Sequence, residues 1–380
     1  MTERITSRKN PLLQQVKKLL SSRSERQKTG LLVADGTKLL AEAVRWWPGL
    51  ETVILSDGVE ADVLFRTPGM HPDIPALRKL RESGAKVTSE MQVFFELCPC
   101  KIYAITGSDG KTTTSNLIAQ MLTSAGKRVF LGGNLGKALV PVLNEISKDD
   151  VAVVELSSFQ LISMRKSPDV AVITNVAPNH LDVHTDMQEY IDSKRNIYLH
   201  QGAFSRLVLN FDNEITRSMS DSARGEVVFF SYSGKNKSGA YLDSEGYLNL
   251  NSKRLLHKSE IKIVGEHNVD NYLTAIAAVG DEVSCENIVN TAKNFGGVEH
   301  RIELVRTLNG VKYYNDSIAS SPTRTIAGLN SFKEKVILIA GGYDKKIPYA
   351  PLAPKIKEKV KLLILMGATA DKIEAALKED

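Results

Sequence analysis

The sequence predicts an α/β fold built on largely parallel sheets. Three observations predict it: short β-rich apolar runs alternate with helical stretches beyond residue 60, a glycine-bearing loop joins one such strand to a helix, and 42% apolar with 24% charged residues is an ordinary globular balance. At 380 residues the chain has room for two or three domains. No apolar run approaches the roughly 18 residues that a membrane-spanning helix needs, so membrane insertion is not expected. The first residues are charged throughout and lack the apolar core of a secretory signal, and three cysteines suit a reducing compartment. A cytoplasmic location follows as the expectation.

The expected strands are, in order, 102–106, 128–131, 151–155, 170–174, 207–210, 227–232, 336–340 and 362–366. Between 233 and 263 the pattern changes to short polar segments with Gly239, Gly246 and Asn249, which reads as an antiparallel hairpin excursion. A boundary is expected near 298–301, where a helical stretch ends at Gly296 and Gly297 and a new strand–helix series begins. Charge is unevenly placed. The whole chain sums to +5, yet Arg4, Arg8, Lys9, Lys17, Lys18, Arg23, Arg26 and Lys28 face only Glu3 and Glu25, leaving the remainder close to neutral. Such a basic arm is either a nucleic-acid contact or a solvated helix face.

Chemistry concentrates after residue 100. An apolar strand, 101–106, runs into Gly107-Ser108-Asp109-Gly110-Lys111-Thr112-Thr113, and 114–125 has helical apolar spacing. Glycines let backbone N–H groups approach phosphate oxygens, the helix N-terminus is positive, and Lys111 adds a charge. Thr112 would offer its hydroxyl to Mg²⁺. The stricter phosphate-loop pattern has a glycine where this chain has Ile105. Glu155 ends the strand 151–155, so its carboxylate emerges at the carboxyl edge of a parallel sheet, where a metal ligand belongs beside a phosphate loop. His180-Leu181-Asp182-Val183-His184 could chelate zinc from an extended strand, but Pro178 and Asn179 make it a loop and no third ligand follows at motif spacing. Cys98, Cys100 and Cys285 are expected to be buried or lightly reactive thiols.

Seven motifs together resemble the Mur ligase family: Thr106-Gly107-Ser108-Asp109-Gly110-Lys111-Thr112-Thr113, Gly132-Gly133-Asn134-Leu135-Gly136, Glu155-Leu156-Ser157-Ser158-Phe159-Gln160-Leu161, Asn175-Val176-Ala177-Pro178-Asn179-His180-Leu181-Asp182, Gly265-Glu266-His267-Asn268 with Asn271, His300-Arg301, and Asn315-Asp316-Ser317. The third string is similar to that of the D-glutamate-adding branch. Asp109 departs from the family's usual Asn and brings a negative charge near phosphate.

The resemblance implies ATP-dependent amide synthesis with Mg²⁺. A carboxylate of UDP-N-acetylmuramoyl-L-alanine takes the γ-phosphoryl group, and the acyl phosphate is attacked by the amine of D-glutamate. It implies nucleotide contacts at Gly107, Gly110, Lys111, Thr112 and Thr113, with Asn268, Asn271, Arg301 and Asp316 serving adenine, phosphate and ribose. Thr112 and Glu155 would hold one Mg²⁺, and His180 a second metal. Lys194 aligns with the lysine that the family carries as a carbamate, so it joins Lys111 and His180 in the catalytic set. Asn134 would touch the muramoyl substrate, and Ser320 and Lys345 D-glutamate. A monomer is expected.

The resemblance runs from about Ala61 to the last residue. Three earlier stretches, 5–11, 26–36 and 50–58, instead resemble the RNA-substrate-binding start of SpoU-type 2′-O-ribose methyltransferases. The expected organisation is therefore α/β throughout: a SpoU-like fragment at 1–58, a remnant of the ligase's first domain at 59–100 (together an atypical N-terminal α/β segment), a central P-loop-type parallel-sheet ATPase domain at 101–298, and a truncated Rossmann-like C-terminal domain at 299–380. The alternative expectation is an inactive or RNA-binding fusion that keeps nucleotide binding.

Overall fold

The computed structural model describes residues 63–178, 184–319, 321–344 and 348–379. The basic arm considered for RNA contact, together with His180, Ser320 and Lys345, lies outside the described residues. Among the described residues no helix is long and apolar enough to cross a membrane.

The chain divides into two units between Val93 and Phe94. In the first, β1 (Val63–Phe65) pairs in parallel with β2 (Lys86–Thr88), and the helix Pro75–Glu82 connects them. Leu77 is the buried residue of that helix, and Pro75 opens it, where a missing N–H costs no helical bond.

The second unit is dominated by a nine-stranded sheet. Its strands are β3 (Lys101–Thr106), β4 (Val129–Gly133), β5 (Val151–Glu155), β6 (Val170–Ile173), β7 (Arg206–Asn210), β8 (Glu226–Ser231), β9 (Ala240–Leu242), β10 (Tyr247–Leu250) and β11 (Lys253–His257). The spatial order is β11-β10-β9-β8-β7-β6-β3-β5-β4, with every pair from β4 to β9 parallel. β5 and β6 are buried along their whole length, as parallel strands covered on both faces must be. The helices Lys111–Ser124 and Glu266–Val279 pack on this sheet. Tyr103, Ile105, Leu117, Met121, Val153, Val172, Tyr272 and Ile276 meet in one core.

After β3 the chain moves outward to β4 and returns through β5 to β3's flank, then crosses to β6 on the other side. The carboxyl end of β3 is therefore a topological switch point, where connections diverge and leave a crevice. The stretch 233–263 differs from its expectation in one respect. β9, β10 and β11 do form an antiparallel meander, but β9 pairs in parallel with β8, so they extend the main sheet. Ala240, Leu242, Leu248, Leu250 and Leu256 feed the same core, and burying them requires this continuation.

The helix Cys285–Asn294 ends before an antiparallel ribbon, β12 (Glu303–Leu308) with β13 (Val311–Asn315). The boundary expected at 298/299 falls between them. Beyond lies a parallel pair, β14 (Val336–Gly341) and β15 (Val360–Met366), with the helices Pro322–Asn330, Ala353–Lys359 and Ala370–Glu379. Leu329, Leu352, Ile356 and Ile373 form its core with Leu338, Leu363 and Leu365. Ile337, Ile339, Leu362, Ile364 and Met366 alternate with these and are exposed.

Candidate active site

The phosphate-type loop sits at the switch point. Gly107 has φ +149°, and a side chain there would run into Thr174 Oγ1. Gly110 is left-handed at φ +79°, and a side chain there would strike Asn271 Oδ1. Both positions combine a backbone conformation that L side chains rarely adopt with no room for a Cβ, which is why the loop needs glycine twice. The expected helix start at 114 is corrected to Lys111, with Gly110 as its N-cap residue. Lys111, Thr112 and Thr113 thus form the first turn, whose N–H groups have no partner within the helix.

The loop is fastened to the segment after β6. Ser108 N–H donates to Asn175 O at 2.9 Å, Asp109 N–H to Asn175 Oδ1 at 3.0 Å, and Thr174 Oγ1 to Asp109 O at 2.6 Å. Ser108 Oγ lies 2.9 Å from the Tyr190 hydroxyl. Asp109 itself is exposed.

Glu155 is 2% exposed at the end of β5. Thr112 Oγ1 donates to its Oε2 at 2.8 Å and Asn134 Nδ2 donates to its Oε1 at 2.9 Å. Two residues predicted separately, Thr112 from the loop and Asn134 after β4, therefore converge on the carboxylate at the end of β5. Immediately after it, Ser157 caps the short helix Ser158–Leu161: its Oγ accepts from Gln160 N–H, and Gln160 Oε1 accepts from Ser157 N–H at 2.9 Å. This reciprocal capping turns the chain sharply away and leaves Glu155 at the crevice.

Lys111 Nζ folds back to donate to Gly107 O at 2.9 Å and Ser108 O at 3.0 Å. Burial lowers its pKa, and the carboxylate of Glu155 opposes that shift. Lys194, on the helix Met187–Arg195, is 1% exposed. Its Nζ donates to the same Gly107 carbonyl at 2.8 Å and stands 4.6 Å from the centroid of Tyr190. Burial, with Lys111 beside it, pushes the Lys194 amine well below its usual range. The lysine that the resemblance placed among metal ligands thus lies against the phosphate loop.

Asn268 and Asn271 face inward from the helix Glu266–Val279. Asn268 Nδ2 donates to Val264 O at 2.6 Å, Asn271 Nδ2 to Asn268 Oδ1 at 3.0 Å, and Thr114 Oγ1 to Asn271 Oδ1 at 3.4 Å. The pair ties that helix to the loop's helix. Beside it opens a small cleft lined in part by Thr113, His267, Asn268 and Arg301. Arg301 Nε is buried and has no hydrogen-bond partner among the described residues, and burial lowers the guanidinium's pKa. Asp316 Oδ1 accepts from Ile302 N–H at 3.1 Å, and burial raises its carboxyl.

His184 is buried, with Nε2 2.9 Å from Ser158 Oγ, Nδ1 3.3 Å from Glu189 Oε2, and its ring stacked on Phe159. Its ring is thus engaged in hydrogen bonding and packing. Sequence reasoning quoted Ser158 and Asn175 within motifs without giving them these roles, and it missed the Ser158–His184–Glu189 chain and the loop's anchors Thr174 and Tyr190. Only Ser157 and Gln160 carried a readable signal, the S-x-x-Q spacing of a capping box.

Residues 105–279 match the sequence profile described as Mur ligase middle domain, and residues 300–380 that described as Mur ligase, glutamate ligase domain. The chain is 58% identical over 322 residues to the UDP-N-acetylmuramoylalanine–D-glutamate ligase of Acetivibrio thermocellus, covering 84% of this chain and 69% of the relative. It is 52% identical over 314 residues to the enzyme of that name from Clostridium acetobutylicum, covering 82% and 68%. Among solved structures, the UDP-N-acetylmuramate–alanine ligase of Thermotoga maritima superposes with a TM-score of 0.60 at 19% identity, covering 84% of this chain and 74% of that one. That likeness concerns the fold.

Proposed function

The chain belongs to the Mur ligase family, and on that footing we propose that it joins D-glutamate to UDP-N-acetylmuramoyl-L-alanine at the expense of ATP. The observation that carries this reading is the convergence of Thr112 and Asn134 on Glu155, next to a phosphate-type loop at the switch point. A hydroxyl and a carboxylate are hard oxygen donors, and no group of three or more His, Cys, Asp or Glu forms a metal cage among the described residues. That suits Mg²⁺, which takes one or two protein ligands and completes its shell with phosphate oxygens and water. Thr112 and Glu155 would hold it. When bound, it supplies charge neutralisation at the phosphates.

The protein's own residues do the remaining work. Gly107 and Gly110 let the backbone approach, and the helix N-terminus at Lys111–Thr113 presents positive N–H groups to an anion. Lys111, released from the loop carbonyls, would neutralise charge developing on the transferring phosphoryl group, an electrostatic and positioning task. Asn134 holds Glu155 in orientation and would meet the muramoyl substrate. Arg301, with its free Nε, and Asp316 would contact phosphate and ribose beside the Asn268 and Asn271 pair. Lys194 would act as a carbamate. Its buried amine is held toward the neutral form, the form that adds to CO₂: the nitrogen lone pair forms the N–C bond, one C=O π bond opens onto oxygen to give the carboxylate, and one proton leaves to solvent. His180, Ser320 and Lys345 keep the roles the resemblance implies. The enzyme is read as a cytoplasmic monomer.

The test is turnover by the whole chain with ATP, Mg²⁺, UDP-N-acetylmuramoyl-L-alanine and D-glutamate, read as ADP and as the amide product by mass. Product should require all four components and should not form with L-glutamate. Glu155→Gln, which keeps shape and loses charge, should lower turnover by roughly 10²–10³. Phosphate release that ignores the muramoyl substrate, or a Glu155→Gln chain with full turnover, would overturn the reading.

A further inference from the structure

Cys98 and Cys100 flank Pro99 between the helix Glu90–Leu97 and β3. Their sulfurs lie 3.5 Å apart. Cys98 is half-buried and Cys100 is buried at 6% exposure, so Cys98 is the more accessible of the two. Proline between them restricts the backbone and holds the two side chains in each other's reach. The pair sits at the amino end of β3, whereas the phosphate-type loop leaves its carboxyl end. A metal is disfavoured, since no third His, Cys, Asp or Glu completes a cluster among the described residues.

We propose that Cys98 and Cys100 form a thiol–disulfide exchange site for low-molecular-weight disulfides of the glutathione type. The Cys98 thiolate attacks one sulfur of the small disulfide. That S–S bond breaks, a mixed disulfide forms on Cys98, and the departing thiolate takes up the proton that Cys98 gave. Cys100 then loses its proton and attacks Cys98 Sγ, which forms the internal disulfide and releases the second small thiol. Two protein thiols and one small disulfide become one protein disulfide and two small thiols: the protein is oxidised by two electrons and the small disulfide reduced. The order of attack follows from the environment. The Cys100 hydrogen bond holds the Cys98 thiol down to about 7, while the same contact and burial push Cys100 up.

The experiment treats the folded full-length chain with oxidised glutathione, quenches with acid, alkylates remaining thiols and analyses the tryptic peptide 87–101, which carries both cysteines. The native chain should give this peptide two hydrogens lighter and unalkylated, with Cys285 still alkylated. Cys100→Ser should accumulate glutathione on Cys98, and Cys98→Ser should react at least roughly tenfold more slowly. Both serine variants change one atom type, and their melting curves report whether they fold. A native chain that stops at the mixed disulfide, or one in which Cys98 and Cys285 react at the same rate, would overturn the proposal.

Discussion

Lys194 illustrates how far a single side chain can depart from its ordinary chemistry. Its amine is almost fully buried, donates to the Gly107 carbonyl, and has a pKa well below the ordinary 10.5. Protonation therefore favours the unfolded chain, so this residue's contribution to stability is least at low pH and rises through the window between the depressed folded value and 10.5. Lys194→Met, which keeps the stem and removes the amine, should raise the melting midpoint near neutral pH in CO₂-depleted buffer, where the lysine is not carbamylated, with the gain shrinking toward pH 10, while ligation is lost. Calorimetric scans across pH check this; a lower midpoint at pH 7 would mean that the bond to Gly107 outweighs desolvation. No spacing rule marks Lys194, because burial depends on what the rest of the chain places around a helix face. Glu155 is the contrary case: its position at the end of an apolar run was enough to place it at a sheet edge.

The unit of the site is the strand–loop–helix element from β3 to Ser124. Its strand and glycines were legible as local signals: an apolar run of strand length, then G-x-x-G-K-T. The helix start was placed three residues late, because Lys111, Thr112 and Thr113 are polar and lack the apolar periodicity that signals a helix, yet they form its first turn. Gly110→Ala would place a Cβ in a left-handed conformation, at roughly 1–2 kcal/mol, and press it against Asn271 Oδ1. Urea unfolding should show at least that loss, and calorimetry with an ATP analogue and Mg²⁺ should show weakened binding. Unchanged stability would mean that the loop relaxes without cost. The capping box at Ser157 and Gln160 acts at the same scale, ending β5 where Glu155 must stop.

At the scale of the whole molecule, the site draws on a loop after β3, the ends of β4 and β5, a helix after β6, and Arg301 beyond the main sheet. Arg301 Nε is buried without a hydrogen-bond partner among the described residues, which leaves this donor available for an anion. Hydrogen bonds to charged groups contribute about 1.5–3 kcal/mol, so Arg301→Ala should weaken ATP binding by about tenfold or more with little change in melting midpoint. Unaltered affinity in titration would remove Arg301 from the nucleotide site. By itself the sequence determined the α/β class, the central strands, the phosphate-type loop and the carboxylate at the edge of β5, because each is written in a few neighbouring residues whose period or backbone freedom has one physical reading. Only the tertiary structure decided that Thr112 and Asn134 meet on Glu155, that Lys194 lies against Gly107, and that His184 is committed to packing. Those contacts join residues far apart in the chain, and their energies come from burial and hydrogen bonding that exist only once the sheet order has brought the strand ends together.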